Sequence, residues 1–259
     1  MNDPAVDLEL CRNRWRRYRA ELNLVDTASE DFATSGLADR VDHPAIRLLI
    51  LPLDPERGFI DFDEDFWSWW IQEWADPSTG RSLSGLNESA PTSNAAVRFA
   101  RGSAKWGEYL ALYRGVALEM ELGEHSVVRG RERTYVRLVS LISRIWLAMS
   151  IYTNTIERYQ LSGPFELTIA FRDVEGSILA NFGHGWPELG QGLWDPPTLR
   201  TKSLLLRREI EQWPNENQLR DIVFSIGGWI EDTWGSKQRR FLVRTGELAG
   251  KFDASAIRR

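Results

Sequence analysis

The sequence predicts an α+β protein: a mostly antiparallel sheet built from hairpins, with one long central helix and flanking N- and C-terminal helices. Three observations lead there. Strand-like segments come in adjacent pairs, over 107–122 and 165–182, instead of alternating singly with helices. A long amphipathic pattern over about Thr134–Tyr159 lies between those pairs. Helical patterns also stand before and after the strands, over about 7–24 and 219–234.

Asp7 to Leu24 reads as a basic helix in which Leu8, Trp15, Tyr18 and Leu22 recur at near-helical spacing among arginines. Residues 25–44 carry scattered acids, Ser, Thr and Gly36, which makes them an exposed connection closed by Pro44. Ile46–Leu51 is an unbroken apolar run of strand length, ended by Pro52 and Pro55. Asp63 then caps a helix with Glu64 and Asp65 in its first turn, where carboxylates suit the positive end of the dipole. That helix extends to about Trp74. The Ser-, Gly-, Pro- and Asn-rich stretch 76–95 reads as a mobile functional loop, not a linker, because neither side of it looks like a complete domain. The chain is therefore expected to be one domain over 1–259.

Beyond the loop, EYLALY and VALEMEL form a hairpin around Arg114-Gly115. Val116, Leu118, Met120 and Leu122 alternate with Ala117, Glu119 and Glu121, the two-residue period of a half-buried strand. The long helix keeps Tyr135, Leu138, Ile142, Ile145, Met149, Tyr152 and Ile156 on one side, and Ser162-Gly163-Pro164 stops it. FELTIAFRD and SILANF make a second hairpin around Glu175-Gly176. Leu199–Leu206 reads as a further strand, and Leu219–Trp234 as a helix with Gly227-Gly228 as a kink point.

Composition narrows the function classes. A net charge of -5 and a pI near 5.4 argue against a protein that coats nucleic acid by bulk charge. The lone Cys11 forms no internal disulfide and supplies no thiolate cage for zinc. There is no phosphate loop of the GxxxxGK[ST] kind, no GxSxG elbow and no HExxH pair, and His43, His125 and His184 lie far apart. No catalytic residue, metal site or cofactor is implied. With no signal peptide at the N-terminus, and with Arg144 breaking the most apolar stretch, the expectation is a cytoplasmic protein without a membrane span.

Four features carry what functional signal there is. The first is the tryptophan helix, one of the places where the chain spends its 12 tryptophans. Trp67, Trp70 and Trp74 recur at steps of three and four and should face the sheet, while Trp69 falls off that stripe and should be exposed. An apolar surface over much of a helix suits either burial or docking on a partner, and tryptophan is the residue most enriched in binding hot spots. The second is the acidic group Asp61, Asp63, Glu64 and Asp65, read as helix capping, with a Mg²⁺- or Ca²⁺-dependent hydrolase as the sharper alternative. Third, the glycine-rich segment 182–197 follows a strand without opening into a helix, so it fails as a dinucleotide fingerprint. It still offers His184 and Trp186 as polar and stacking groups of a ligand loop. The fourth is the set of basic clusters, above all Arg12, Trp15, Arg16, Arg17 and Arg19. Arginine interleaved with aromatics suits phosphate contacts with base stacking, an acidic protein partner, or a solvated helix face.

The order LPLDPE, YLALYRGVALEMEL, TYVRLVSLISRIWLAMSIYTN, SGPFELTIAFRDVEGSILANFGHGW and IEDTWGSKQRRFLVRTGELAG, over roughly residues 45–250, resembles a known arrangement. It is similar to the region that follows the AlbA module in actinobacterial Schlafen/AlbA-type DNA-binding proteins. The AlbA module itself has no counterpart here, and no functional residue is carried over. The resemblance implies an accessory region found in bacterial regulators and defence proteins. Together with the absent catalytic motifs, it makes a non-catalytic subunit that binds a protein partner or a second copy the leading expectation. A nucleic-acid- or nucleotide-responsive binding protein is the alternative.

Overall fold

The computed structural model describes residues 44–53, 60–72, 88–91, 95–99, 109–123, 126–130, 133–180, 198–235, 242–243 and 251–252. In chain order these form β1 (Ala45–Pro52), α1 (Glu64–Gln72), β2 (Glu88–Pro91), β3 (Ala95–Phe99), β4 (Tyr109–Tyr113), β5 (Leu118–Leu122), β6 (Val127–Arg129) and β7 (Thr134–Arg137). They continue as α2 (Leu138–Tyr159), β8 (Phe165–Arg172), β9 (Ile178–Ala180), β10 (Ser203–Ile210), α3 (Glu216–Thr233), β11 (Leu242–Val243) and β12 (Lys251–Phe252). The class is α+β, as the grouping of strands predicts.

Seven strands make an antiparallel sheet in the order β10-β8-β1-β5-β4-β3-β2. The apolar run of β1 explains its central place. Ile46, Leu48 and Ile50 point to one face and Leu49 and Leu51 to the other, and all five are buried. The first face is the main core. There β1 joins Leu110, Leu112, Leu118, Met120, Leu167, Ile169 and Phe171 under Phe66 and Trp70 of α1, the Leu141–Tyr152 stripe of α2, and Leu219, Val223, Ile226 and Ile230 of α3.

Helix ends follow their sequence signals. Asp63 Oδ1 accepts from the Phe66 N–H at 2.7 Å, closing the first turn of α1. Asn215 and Gln218 cap α3 reciprocally, each side-chain oxygen accepting from the other's backbone N–H at 3.0 Å. At the end of α2, Gln160 takes the left-handed conformation and its N–H donates to the Ile156 carbonyl.

Several expectations need correction. The long helix starts at Leu138, because Thr134–Arg137 is strand β7, which pairs with both β6 and β9 and runs directly into α2. FELTIAFRD and SILANF do not form a hairpin. β8 takes its place between β1 and β10, whereas β9 pairs in parallel with β7 in a separate three-stranded sheet. Within the expected loop 76–95, Glu88–Pro91 is strand β2 and Ala95 opens β3, which pairs with it. The strand placed at Leu199–Leu206 lies at Ser203–Ile210. The β4–β5 turn also differs: Val116 N–H donates to the Tyr113 carbonyl, Tyr113 N–H donates to the Ala117 carbonyl, and the positive φ of 66° falls on Val116, not on Gly115. Gly227 and Gly228 sit inside the single span of α3. The basic helix over 7–24 lies outside the described residues.

Candidate functional site

The second face of the sheet carries polar groups that the two-residue pattern of β5 assigns to solvent. Instead, Glu119 and Glu121 are buried, each only 6% exposed. Their positions follow from register, since Arg47 of β1 and Tyr109 of β4 both lie directly opposite Glu121. Arg47 Nε donates to Glu121 Oε2 at 2.7 Å. The Tyr113 hydroxyl donates to Glu119 Oε2 at 2.9 Å and the Tyr109 hydroxyl to Glu119 Oε1 at 3.2 Å. Burial, with Glu119 and then Glu121 beside it, pushes the Tyr109 hydroxyl well above its ordinary value and keeps it a donor. Further along the same face, Glu166 accepts from Thr168 Oγ1 at 3.1 Å and from Arg207 Nε at 2.5 Å. The hydrogen bonds and ion pairs of Glu119 and Glu121 tie the side chains of β4, β5 and β1 together across the second face.

The tryptophan helix is the second assembly. Phe66 and Trp70 are fully buried and stacked, with ring centroids 5.8 Å apart. Trp70 is therefore core, as its stripe predicts, and it contributes no contact surface to a partner. Trp67 and Trp69 flank it, both half-buried. Trp67 packs edge-on against Phe66 at 5.2 Å, so it is not the sheet-facing residue its spacing implied. Trp69 is not open to solvent either: it meets Tyr159 of α2 edge-on at 6.2 Å, and the Arg158 guanidinium sits 5.3 Å from its ring. The member of the helix that faces water is Ile71, 60% exposed. A helix turn of 3.6 residues puts Glu64, Ser68 and Ile71 along one outward line, all three exposed, with Trp67 beside it and Trp69 on the far side of the helix from Ile71.

The acidic group is consumed locally. Asp63 caps α1, Asp61 pairs with Arg114 at 3.2 Å, and Asp65 pairs with Arg158. Arg114 also lies 4.4 Å from the Phe62 ring, and its carbonyl accepts from the Ile60 N–H at 2.8 Å, so the β4–β5 turn staples the chain entering α1. Among the described residues, no group of three or more His, Cys, Asp or Glu is placed to hold a metal ion. Arg47, Arg114, Arg158, Arg207 and Arg220 each pair with a carboxylate. Trp74, the Arg12, Trp15, Arg16, Arg17 and Arg19 cluster, and the His184 and Trp186 loop lie outside the described residues.

No helix among the described residues is long and apolar enough to cross a membrane. Compared with family models, curated proteins and solved structures, the chain matches none.

Proposed function

We propose that this chain is a non-catalytic cytoplasmic interaction module that binds a protein partner through the outer face of α1. The observation that carries the reading is Ile71, a large apolar side chain left 60% exposed, with half-buried Trp67 one helical turn away on the same side. An exposed apolar side chain beside a tryptophan suits the composition of a binding hot spot. The rigid base also supports it: Trp70 anchors α1 in the core, and Arg114 and Arg158 tie down both ends of the acidic first turn. A surface held in place before binding loses little ordering entropy on contact. The resemblance to the accessory region of Schlafen/AlbA-type proteins would put such a module in a bacterial regulatory or defence system.

Quantitative affinity capture from the native host, with wild type compared against Ile71→Asp and Trp67→Ala, tests this reading. The expected result is one protein retained by wild type and reduced about tenfold or more by either substitution, with Ile71→Asp unfolding at the wild-type temperature. Equal capture by Ile71→Asp and wild type would remove α1 as the docking face.

A further inference from the structure

Exposed large apolar side chains are few among the described residues, and Ile71 has one counterpart: Leu205, 61% exposed, on β10. β10 is an edge of the seven-stranded sheet, paired with β8 on one side only. Over its eight residues, alternate backbone N–H and C=O groups point away from β8, and its Arg207, Arg208 and Glu209 are all exposed. Along the end of this edge runs a cleft of about 360 Å³ between β10 and the flank of α3. Ile210, Pro214 and Ile222, all buried, give the cleft an apolar floor. Arg208 on the strand and Asp221 on the helix stand at its walls, and neither is in an ion pair among the described residues.

Strand edge, adjoining helix and apolar floor are the parts of a β-strand-addition groove, in which main-chain hydrogen bonds hold a peptide and alternate side chains select it. We propose that the β10–α3 cleft binds an extended peptide that joins the sheet antiparallel to β10, with an apolar side chain opposite Ile210 and a carboxylate opposite Arg208. The direction follows from the sheet, which is antiparallel throughout, and from the slightly better pairing of antiparallel strands. The spacing follows from the strand period. Arg208 and Ile210 share the face turned to α3, so in an antiparallel partner the apolar residue comes first and the acidic one two positions later. A second copy of β10 offers Arg208 no carboxylate: two-fold pairing centred on Arg207, Arg208 or Glu209 sets like charges directly opposite, and pairing centred on Leu206 or Leu205 sets Arg208 against Leu204 or Lys202. This inference uses a surface other than the α1 face and stands apart from it.

The test is selection of displayed random ten-residue peptides on the whole chain, in wild type and in Arg208→Glu, with selected peptides re-measured by fluorescence anisotropy. Arg208 is exposed, so the substitution leaves the core untouched. Wild type should enrich an apolar-x-acidic pattern, and those peptides should bind Arg208→Glu about tenfold or more weakly. Arg208→Glu should instead enrich apolar-x-basic, and Ile71→Asp should select the wild-type pattern. No enriched pattern, the same pattern from wild type and Arg208→Glu, or a pattern lost in Ile71→Asp would each overturn the proposal. So would light scattering that shows a wild-type dimer dissociated by Arg208→Glu, because the groove would then belong to a second copy.

Discussion

Replacing Trp70 with alanine separates the core tryptophan from its neighbours on the same helix. Trp70 has no exposed surface and stacks on Phe66 at 5.8 Å. An aromatic side chain of this kind buries roughly 150–250 Å². At about 25 cal/mol per Å², that is roughly 4–6 kcal/mol for the whole side chain. Alanine keeps the Cβ, and the site relaxes in part, so the net loss should be about 4 kcal/mol, inside the usual range for emptying a large aromatic site. Trp69 is half-buried, so its truncation should lose roughly 2 kcal/mol, including its contact with Arg158. Urea unfolding read as a midpoint change at constant slope measures both. A domain of ordinary stability, about 5–15 kcal/mol, has room for the smaller loss and is endangered by the larger. Trp70→Phe therefore accompanies Trp70→Ala, so that an intermediate value is read even if the alanine variant does not fold. Equal losses from Trp70→Ala and Trp69→Ala would refute the division of the helix into a buried line and half-open shoulders.

Three further outcomes are expected. Asp63→Ala should cost about 1 kcal/mol in thermal or urea unfolding, and Asp63→Asn should restore most of it, because the acceptor for the Phe66 N–H returns. The Tyr152 hydroxyl is buried with no hydrogen-bond partner, its ring packed edge-on against Phe165 at 5.8 Å; Tyr152→Phe should therefore stabilise the protein by about 1 kcal/mol, and a destabilisation of that size would contradict the packing. Tyr109, Tyr152 and Tyr159 are all raised above the ordinary phenol value, chiefly by burial. The unfolded chain releases these protons near pH 10 while the folded chain retains them. Their contribution is thus complete below about pH 10 and is lost as pH rises toward the folded values. Unfolding followed between pH 8 and pH 12 should show that fall, and Tyr109→Phe should make it shallower.

What was legible in the sequence was local. The apolar run of β1, the Asp63 cap, the α2 stripe from Leu138 to Ile156 and the Pro214 boundary before α3 all depend on neighbours within a few residues. What was not legible depends on partners far along the chain. Glu119 and Glu121 read as the wet side of a strand because Arg47, which makes their burial tolerable, lies 74 residues from Glu121. Glu175-Gly176 has the chemistry of a hairpin turn, and Gly176 does take a φ of 73°, yet the strands on either side pair elsewhere. β8 fits between β1 and β10 because Leu167, Ile169 and Phe171 bury against α2 and α3, a choice that only the assembled core makes. Thr134 to Arg137 continues the helical spacing of Tyr135, but its backbone is claimed by β6 and β9. On α1, periodicity separated Trp69 from Trp70 but could not show Tyr159 and Arg158 arriving to cover it.

The position of β1 also shapes how the chain comes into being. Its two neighbours are made at different times: β5 meets Ile46 through Leu122, and β8 meets the same residue through Phe171. A ribosome adding about 5–20 residues each second takes several seconds to cover the interval between those partners. Throughout it, β1, an interior strand of the finished sheet, lacks one of its two neighbours, and α2, which will roof it, is made only within that interval. The newborn protein is thus most prone to aggregate after the β4–β5 hairpin has emerged and before β8 has. Slower initiation, which lowers the number of chains in that interval at any moment, should raise the soluble yield.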